Sequence, residues 1–238
     1  MMLVLIKVIV TIPCHNDEKF IETAVEAVEK WINEVEEKYL IIIAEDGSVD
    51  NSNKISSELA SINNKVIHIH DDLKLGRGKA LMNSWEHYNA EIYAYLDCDL
   101  ATDMKYFPEL INYIKDGYDL STGSRYIEGA ICDRPILREI SSKVYNSIIR
   151  VFFHDNVLDH QCGFKAFSKK MVDYLLDHYT FSDWFWDTEA IVLANRNGFK
   201  VKEFPVIWRE KKGNRTPLKR LINDIWIHGK GIVKLLYR

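Results

Sequence analysis

IYAYLDCDLATD, residues 92–103, is an apolar run closed by two aspartates one residue apart. Ile92, Ala94 and Leu96 alternate with Tyr93 and Tyr95, which fits a strand covered on both faces. The two-residue period of a strand would then put Asp97 and Asp99 on one side. Taken alone, such a pair is a strand end running into solvent, where a carboxylate needs no partner. What surrounds it gives a different reading.

The same alternation precedes it three times. MMLVLIKVIVTIP (1–13) reads as a first buried strand, and KFIETAVEAVEKWINEVEEK (19–38) as an amphipathic helix with Phe20, Ala24, Ala27, Val28, Trp31 and Val35 on its apolar side. Strand 39–45, helix 50–62, strand 65–70 and helix 78–88 follow before the strand at 92–97. Repeated strand and helix predict an α/β fold with a mostly parallel central sheet flanked by helices. In such sheets ligands sit beyond the carboxyl ends of the strands. The segments there are PCHND, EDGSVD, LKLGRGK and DCDLATD, all polar and rich in Gly or Asp, so the two aspartates fall into a shared crevice. The second half is less regular: a helix at 104–115, a strand ending in TGSRY, a helix at about 138–153, then HQCGFKAFS, FSDWFWDTEAIVLANRNG and a strand KVKEFPVIW.

With 238 residues, 47% hydrophobic and 28% charged, the chain is large enough for a sizeable core, and a single domain over 1–238 is the economical expectation. A net charge of −4 argues against a globally basic nucleic-acid binder. Cys14, Cys98, Cys132 and Cys162 are dispersed, which fits reduced thiols and a cytoplasmic setting rather than a disulfide framework or a zinc ribbon. The N-terminal stretch lacks the basic leader and cleavage site of a signal peptide, and no run approaches the ~18–20 apolar residues of a membrane span. Membrane contact is therefore expected to be peripheral. REISSKVYNSIIRVFFHD sets apolar residues at 140, 144, 148 and 152, and the segment at about 217–236 mixes Lys219, Arg220, Lys230 and Lys234 with Leu, Ile, Val and Trp. Either helix suits a bilayer interface on the cytoplasmic face, or packing on the sheet.

No Gly-x-Gly-x-x-Gly turn follows the first strand, and LGRGKA lacks both the spacing and the Ser/Thr of a P-loop. The eight histidines show no metal spacing; His68 and His70, on one face of a strand, read as structural.

Seven short motifs nevertheless occur in a telling order: PCHND (13–17), EDGSVDNS (45–52), LGRGKA (75–80), DCD (97–99), GSRY (123–126), DHQCGFKAF (159–167) and WDTE (186–189). In that order they resemble family 2 glycosyltransferases of the GT-A fold, and within them the polyprenyl-phosphate sugar synthases such as dolichyl-phosphate glucose and mannose synthases, from about Val8 to Arg215. The resemblance implies an inverting enzyme that moves a hexose from a nucleotide sugar to a polyprenyl or dolichyl phosphate at a membrane surface. It implies Mg²⁺ or Mn²⁺ on Asp97 and Asp99, since hard oxygen ligands suit a cation that neutralises a diphosphate. Pro13, His15, Asn16, Asp17, Asp46, Ser48, Gly76, Lys79 and Arg215 take nucleotide-holding roles by the same resemblance, with Asp97 contributing. Arg125, Arg138 and Ser142 resemble the acceptor-phosphate site, where guanidinium forks suit phosphate oxygens. Gln161, Cys162 and Gly163 match a turn near the donor sugar.

Asp187 and Glu189 fall where many relatives place an acidic base, yet an ionised phosphate acceptor makes a base unnecessary, so Asp187 is either that base or an orienting carboxylate. Asp17 replaces the common Glu. Ala101 stands where mannosyl synthases often carry Gln, which favours UDP-glucose over GDP-mannose as donor. Two alternatives stay open: transfer to a glycan or lipid hydroxyl with Asp187 as base, and a non-catalytic subunit that binds a nucleotide sugar.

Overall fold

The computed structural model describes residues 6–36, 38–211 and 228–237. Its first half follows the expected alternation: β1 (Val8–Cys14), α1 (Ile21–Ile32), β2 (Tyr39–Asp46), α2 (Ser52–Ile62), β3 (Val66–Asp71), α3 (Arg77–His87) and β4 (Ile92–Leu96). A 3₁₀ turn at Met104–Tyr106 leads into α4 (Phe107–Lys115), then β5 (Leu120–Ser124), β6 (Ile131–Asp133) and α5 (Ile136–Phe153). β7 (Phe164–Ser168), α6 (Lys169–His178), α7 (Trp186–Arg196), β8 (Val201–Pro205) and β9 (Ile207–Arg209) complete the labelled elements, and residues 228–236 are helical.

The large sheet runs β3-β2-β1-β4-β7-β5-β8, and β6 pairs with β9 in a small second sheet. β1 lies parallel between β2 and β4, with Val8 opposite both Tyr39 and Ile92. Its residues are apolar almost without interruption because both faces are covered. On one face Val8, Val10 and Ile12 meet Ile21, Ala24 and Val28 of α1 and Phe107, Leu110 and Ile111 of α4. On the other, Ile9, Tyr93 and Tyr95 meet Leu81 and Trp85 of α3, Met171 and Leu175 of α6, and Trp186 and Ile191 of α7. Each such fully buried side chain contributes roughly 1.5–3 kcal/mol.

Two local outcomes differ from the sequence expectation. HQCGFKAFS carries no alternation that marks a strand, yet β7 inserts antiparallel between β4 and β5, pairing Leu96 with Phe164 and Thr122 with Lys165. β4 also stops at Leu96: Asp97 N donates to Gly163 O (2.9 Å), Leu100 N donates to Asp97 O (3.0 Å), and Leu100 turns through a φ of 50°. Asp97 and Asp99 therefore sit on a turn, rather than two residues apart along a strand.

α5 lies outside the main layers. Ser142, Asn146, Ile149 and Phe153 face inward, and Ile149 and Phe153 pack with Phe185, Val192 and Leu235. Of the segment expected as a C-terminal interfacial helix, 217–227 lies outside the described residues; at 228–236 Leu235 is buried in that cluster while Val233 and Leu236 are exposed. Among the described residues no helix is long and apolar enough to cross a membrane, and the four cysteines are free.

Candidate active site

The loops at the ends of β1, β2 and β3 are tied to one another. His15 Nδ1 donates to Asp46 O (2.6 Å), Asn16 N to Ser48 Oγ (2.9 Å), and Val49 N to Asn16 Oδ1 (2.9 Å). Asp46 accepts Leu75 N and Gly76 N at 2.5 and 2.9 Å, so its carboxylate organises the Gly-Lys loop. Gly76 has a φ of 100°, and a Cβ there would stand 2.5 Å from Ser182 O; only glycine fits both demands. Pro13 is half-buried near the end of β1. Asp17 accepts His15 N (2.9 Å), and burial raises its pKa. Lys79 donates through Nζ to Tyr179 OH (3.0 Å) and through its backbone N to Ser182 O (3.1 Å). Eight of the predicted nucleotide-holding residues thus line neighbouring strand-end loops, while Arg215 lies outside the described residues.

Beside them is a buried charge network that the motifs did not reveal. Arg77 donates to Asp97 Oδ1 and, at 3.0 Å, to Asp187 Oδ2, and its guanidinium lies 3.8 Å from the ring centroid of Trp184. Asp187 also accepts from Tyr95 OH and from Lys165 Nζ (3.1 Å). Burial alone would raise the pKa of Asp187, but Lys165 and Arg77 outweigh it and hold the carboxyl below its ordinary value. Asp187 is thus held as a carboxylate by two cations and a tyrosine hydroxyl. Arg77, Tyr95 and Lys165 are the residues that sequence reasoning missed. Each lies inside a stretch singled out in the sequence, but their pairing was hidden because the partners of Arg77 are 20 and 110 positions away.

Asp97 itself is pulled both ways. Burial raises its pKa, Arg77 opposes, Asp99 raises it further, and the net result is about 6. A Cβ on Gly163 would stand 2.2 Å from Asp97 Oδ2, so the glycine leaves the room this carboxylate occupies. Asp99 accepts Ala101 N at 3.0 Å. Two neighbouring carboxylates that offer hard oxygen donors only fit a Mg²⁺- or Mn²⁺-type cation.

The predicted acceptor residues are each partnered within the chain. Arg125 is buried and grips Asp159 through Nε and Nη2, both at 2.7 Å. Arg138 pairs with Glu210. Ser142 Oγ donates to Gln161 Oε1 (3.4 Å), whose Nε2 is 3.2 Å from His228 Nε2. An arriving phosphate would compete with Asp159 and Glu210 for the two arginines. Glu189 accepts Thr180 N and Phe181 N, fixing the segment whose Ser182 and Trp184 touch Lys79 and Arg77.

The strand-end loops fall within a longer match: residues 9–176 fit the model of glycosyl transferase family 2. The chain belongs to that family. Among curated relatives of this family 2 glycosyltransferase, Glycosyltransferase AglD of Haloferax volcanii is 39% identical over 220 residues, covering 90% of this chain and 35% of AglD. A dolichyl-phosphate beta-glucosyltransferase of Trichomonas vaginalis is 26% identical over 221 residues, covering 89% of this chain and 68% of that protein. The chain thus spans about a third of AglD and two thirds of the second relative. Among solved structures, glucosyl-3-phosphoglycerate synthase from Mycobacterium tuberculosis, in complex with Mn²⁺, UDP and glucosyl-3-phosphoglycerate, matches with a TM-score of 0.73 at 17% identity. The match covers 97% of this chain and 80% of that one, a likeness of fold.

Proposed function

We propose that this glycosyltransferase moves a hexose from a nucleotide sugar, UDP-glucose rather than GDP-mannose, to a polyprenyl or dolichyl phosphate at a membrane surface, inverting the anomeric centre. The observation that carries this reading is the division of α5. Arg138 and Ser142 stand one turn apart on it, Ser142 facing inward towards Gln161, while Ile140 (53% exposed), Val144 (54%), Val151 (71%) and Phe152 (52%) form an apolar stripe on the outside. An acceptor with a charged head and a hydrocarbon tail presents these two needs together. Arg138, Lys143 and Arg150 add positive charge beside the stripe, as an anionic bilayer surface favours. The Trichomonas relative, a dolichyl-phosphate beta-glucosyltransferase, points the same way.

In this reading Asp97 and Asp99 would hold a divalent cation, whose charge would stabilise the negative charge that builds on the leaving diphosphate. Pro13, His15, Asn16, Asp17, Asp46, Ser48, Gly76 and Lys79 hold the nucleotide, with Arg215 from beyond the described residues. Arg125, Arg138 and Ser142 receive the acceptor phosphate and offset its repulsion from the donor diphosphate. A phosphate oxygen attacks the anomeric carbon as the bond to the diphosphate breaks, and the nucleoside diphosphate departs with the electron pair. The phosphate monoester is already ionised, so no proton need be removed, which accords with Asp187 being locked in ion pairs.

The test is a screen of radiolabelled UDP- and GDP-sugars with a short polyprenyl phosphate and Mg²⁺ or Mn²⁺. Metal-dependent transfer from UDP-glucose is expected. Transfer to a glycan or lipid hydroxyl but not to the phosphate would overturn the acceptor assignment.

A further inference from the structure

β3 is the edge strand of the large sheet, and its His68 and His70 stand opposite Ile43 and Glu45 of β2. One ligand atom from each of Glu45, His68 and His70 lies within 4.8 Å of the other two. The sequence reading gave both histidines a structural role. A structural histidine sheltered from water ordinarily satisfies its ring nitrogens, and His68 does not: its Nε2 is buried with no hydrogen-bond partner. Glu45 is buried, and its Oε2 meets His70 Nδ1 directly. The other ring nitrogen of His70 lies 3.3 Å from Asp72 Oδ1. A carboxylate behind the far nitrogen of an imidazole is the arrangement that orients metal-ligating histidines and makes them better donors.

We propose that Glu45, His68 and His70 form a binding site for one transition-metal dication of the Zn²⁺ type, separate from the Asp97 and Asp99 pair. Two imidazoles and one carboxylate are the donor set of Zn²⁺ or Co²⁺ rather than of Mg²⁺. The site also reaches the donor loop, because Glu45 Oε1 accepts Ser48 N at 2.5 Å. A cation that fixes Glu45 therefore braces the turn that carries Asp46 and Ser48.

The test is titration of the full chain with Co²⁺, followed by displacement with Zn²⁺ under calorimetry. One equivalent should bind with the visible d–d absorption of a nitrogen-ligated tetrahedral centre. His68→Ala and His70→Ala should each weaken Zn²⁺ binding by ~100-fold or more, and Asp72→Asn by roughly 10-fold. Asp97→Asn should leave this binding unchanged. Absence of stoichiometric binding, indifference to both histidine substitutions, or loss on Asp97→Asn would each overturn the site. X-ray absorption of the Zn²⁺-loaded wild-type chain guards against variants that fail to fold. Two imidazole ligands and no sulfur support the assignment; a sulfur ligand or fewer than two imidazoles refutes it.

Discussion

Arg77 donates to Asp97 with one amino group and to Asp187 with the other, while Trp184 covers its plane. Desolvation disfavours its charge, but Asp97 and Asp187 reverse that, and its pKa rises above the ordinary arginine value. Lysine keeps the charge and loses the fork, so it can serve one carboxylate well and not both. Arg77→Lys is expected to fold with stability reduced by about 1–3 kcal/mol in urea titrations and kcat reduced roughly 100-fold. Arg77→Ala, which strands two carboxylates, should cost about 3–5 kcal/mol. Asp187→Asn tests the same network from the other end. Lys165 and Arg77 lose their shared counter-charge, so kcat should fall by ~10- to 100-fold. The shape of the pH–rate profile should not change, whereas removal of a general base would delete its acidic limb. These contacts were illegible in the sequence because charge pairing at long separation leaves no local pattern. LGRGKA drew attention to Gly76 and Lys79, and the arginine between them is the residue that joins α3 to the turn after β4 and to α7.

The sequence of α5 carried more of its own structure. Apolar residues at 140, 144, 148 and 152 recur every four positions, and all four are exposed. A second set at 142, 146, 149 and 153 faces inward. The spacing showed a stripe without showing which side the protein covers, since Ile149 and Phe153 are as apolar as the exposed set. Exposed stripes tolerate charge without loss of fold, so Val144→Glu combined with Val151→Glu should leave the urea midpoint and UDP binding unaltered. Affinity for vesicles of anionic lipid should drop ~30- to 100-fold, at about 1–1.5 kcal/mol for each side chain. Co-sedimentation measures it, and unchanged binding would remove α5 from the membrane contact. β7 was hidden for the opposite reason. Its five residues include Lys165, a charge at a fully buried position. Lysine belongs there only because Asp187, Tyr95 and Cys162 O surround its Nζ, and those partners come from other elements.

Across the whole molecule the repeated strand and helix of the first half fixed the parallel core and the position of the crevice, while the antiparallel entry of β7 depended on pairings that only the folded chain makes. The same tertiary pairing sets how the protein responds to acid. Asp159 sits between Arg125, which grips it, and Lys165, and these outweigh burial to hold its pKa below the ordinary 3.8. Asp187 is held low by Lys165 and Arg77, and Asp155 by His160. Each has a folded pKa depressed below its unfolded one, so between the two values the unfolded chain binds more protons. The stability they provide is complete above about pH 4–5 and is lost as pH falls through the folded values. Glu203, raised by burial and facing Asp159, acts in the opposite sense only above its ordinary 4.5 and offsets nothing at lower pH. Asp159→Asn leaves Arg125 buried without its counter-charge and should cost about 3–5 kcal/mol at pH 7. Below about pH 4 the unfolded wild-type chain takes up a proton at this position that the folded carboxylate resists, so the gap between the two urea midpoints should narrow as pH falls from 4 towards 2. A gap that stays constant over that range would show that Asp159 contributes through packing rather than through its charge.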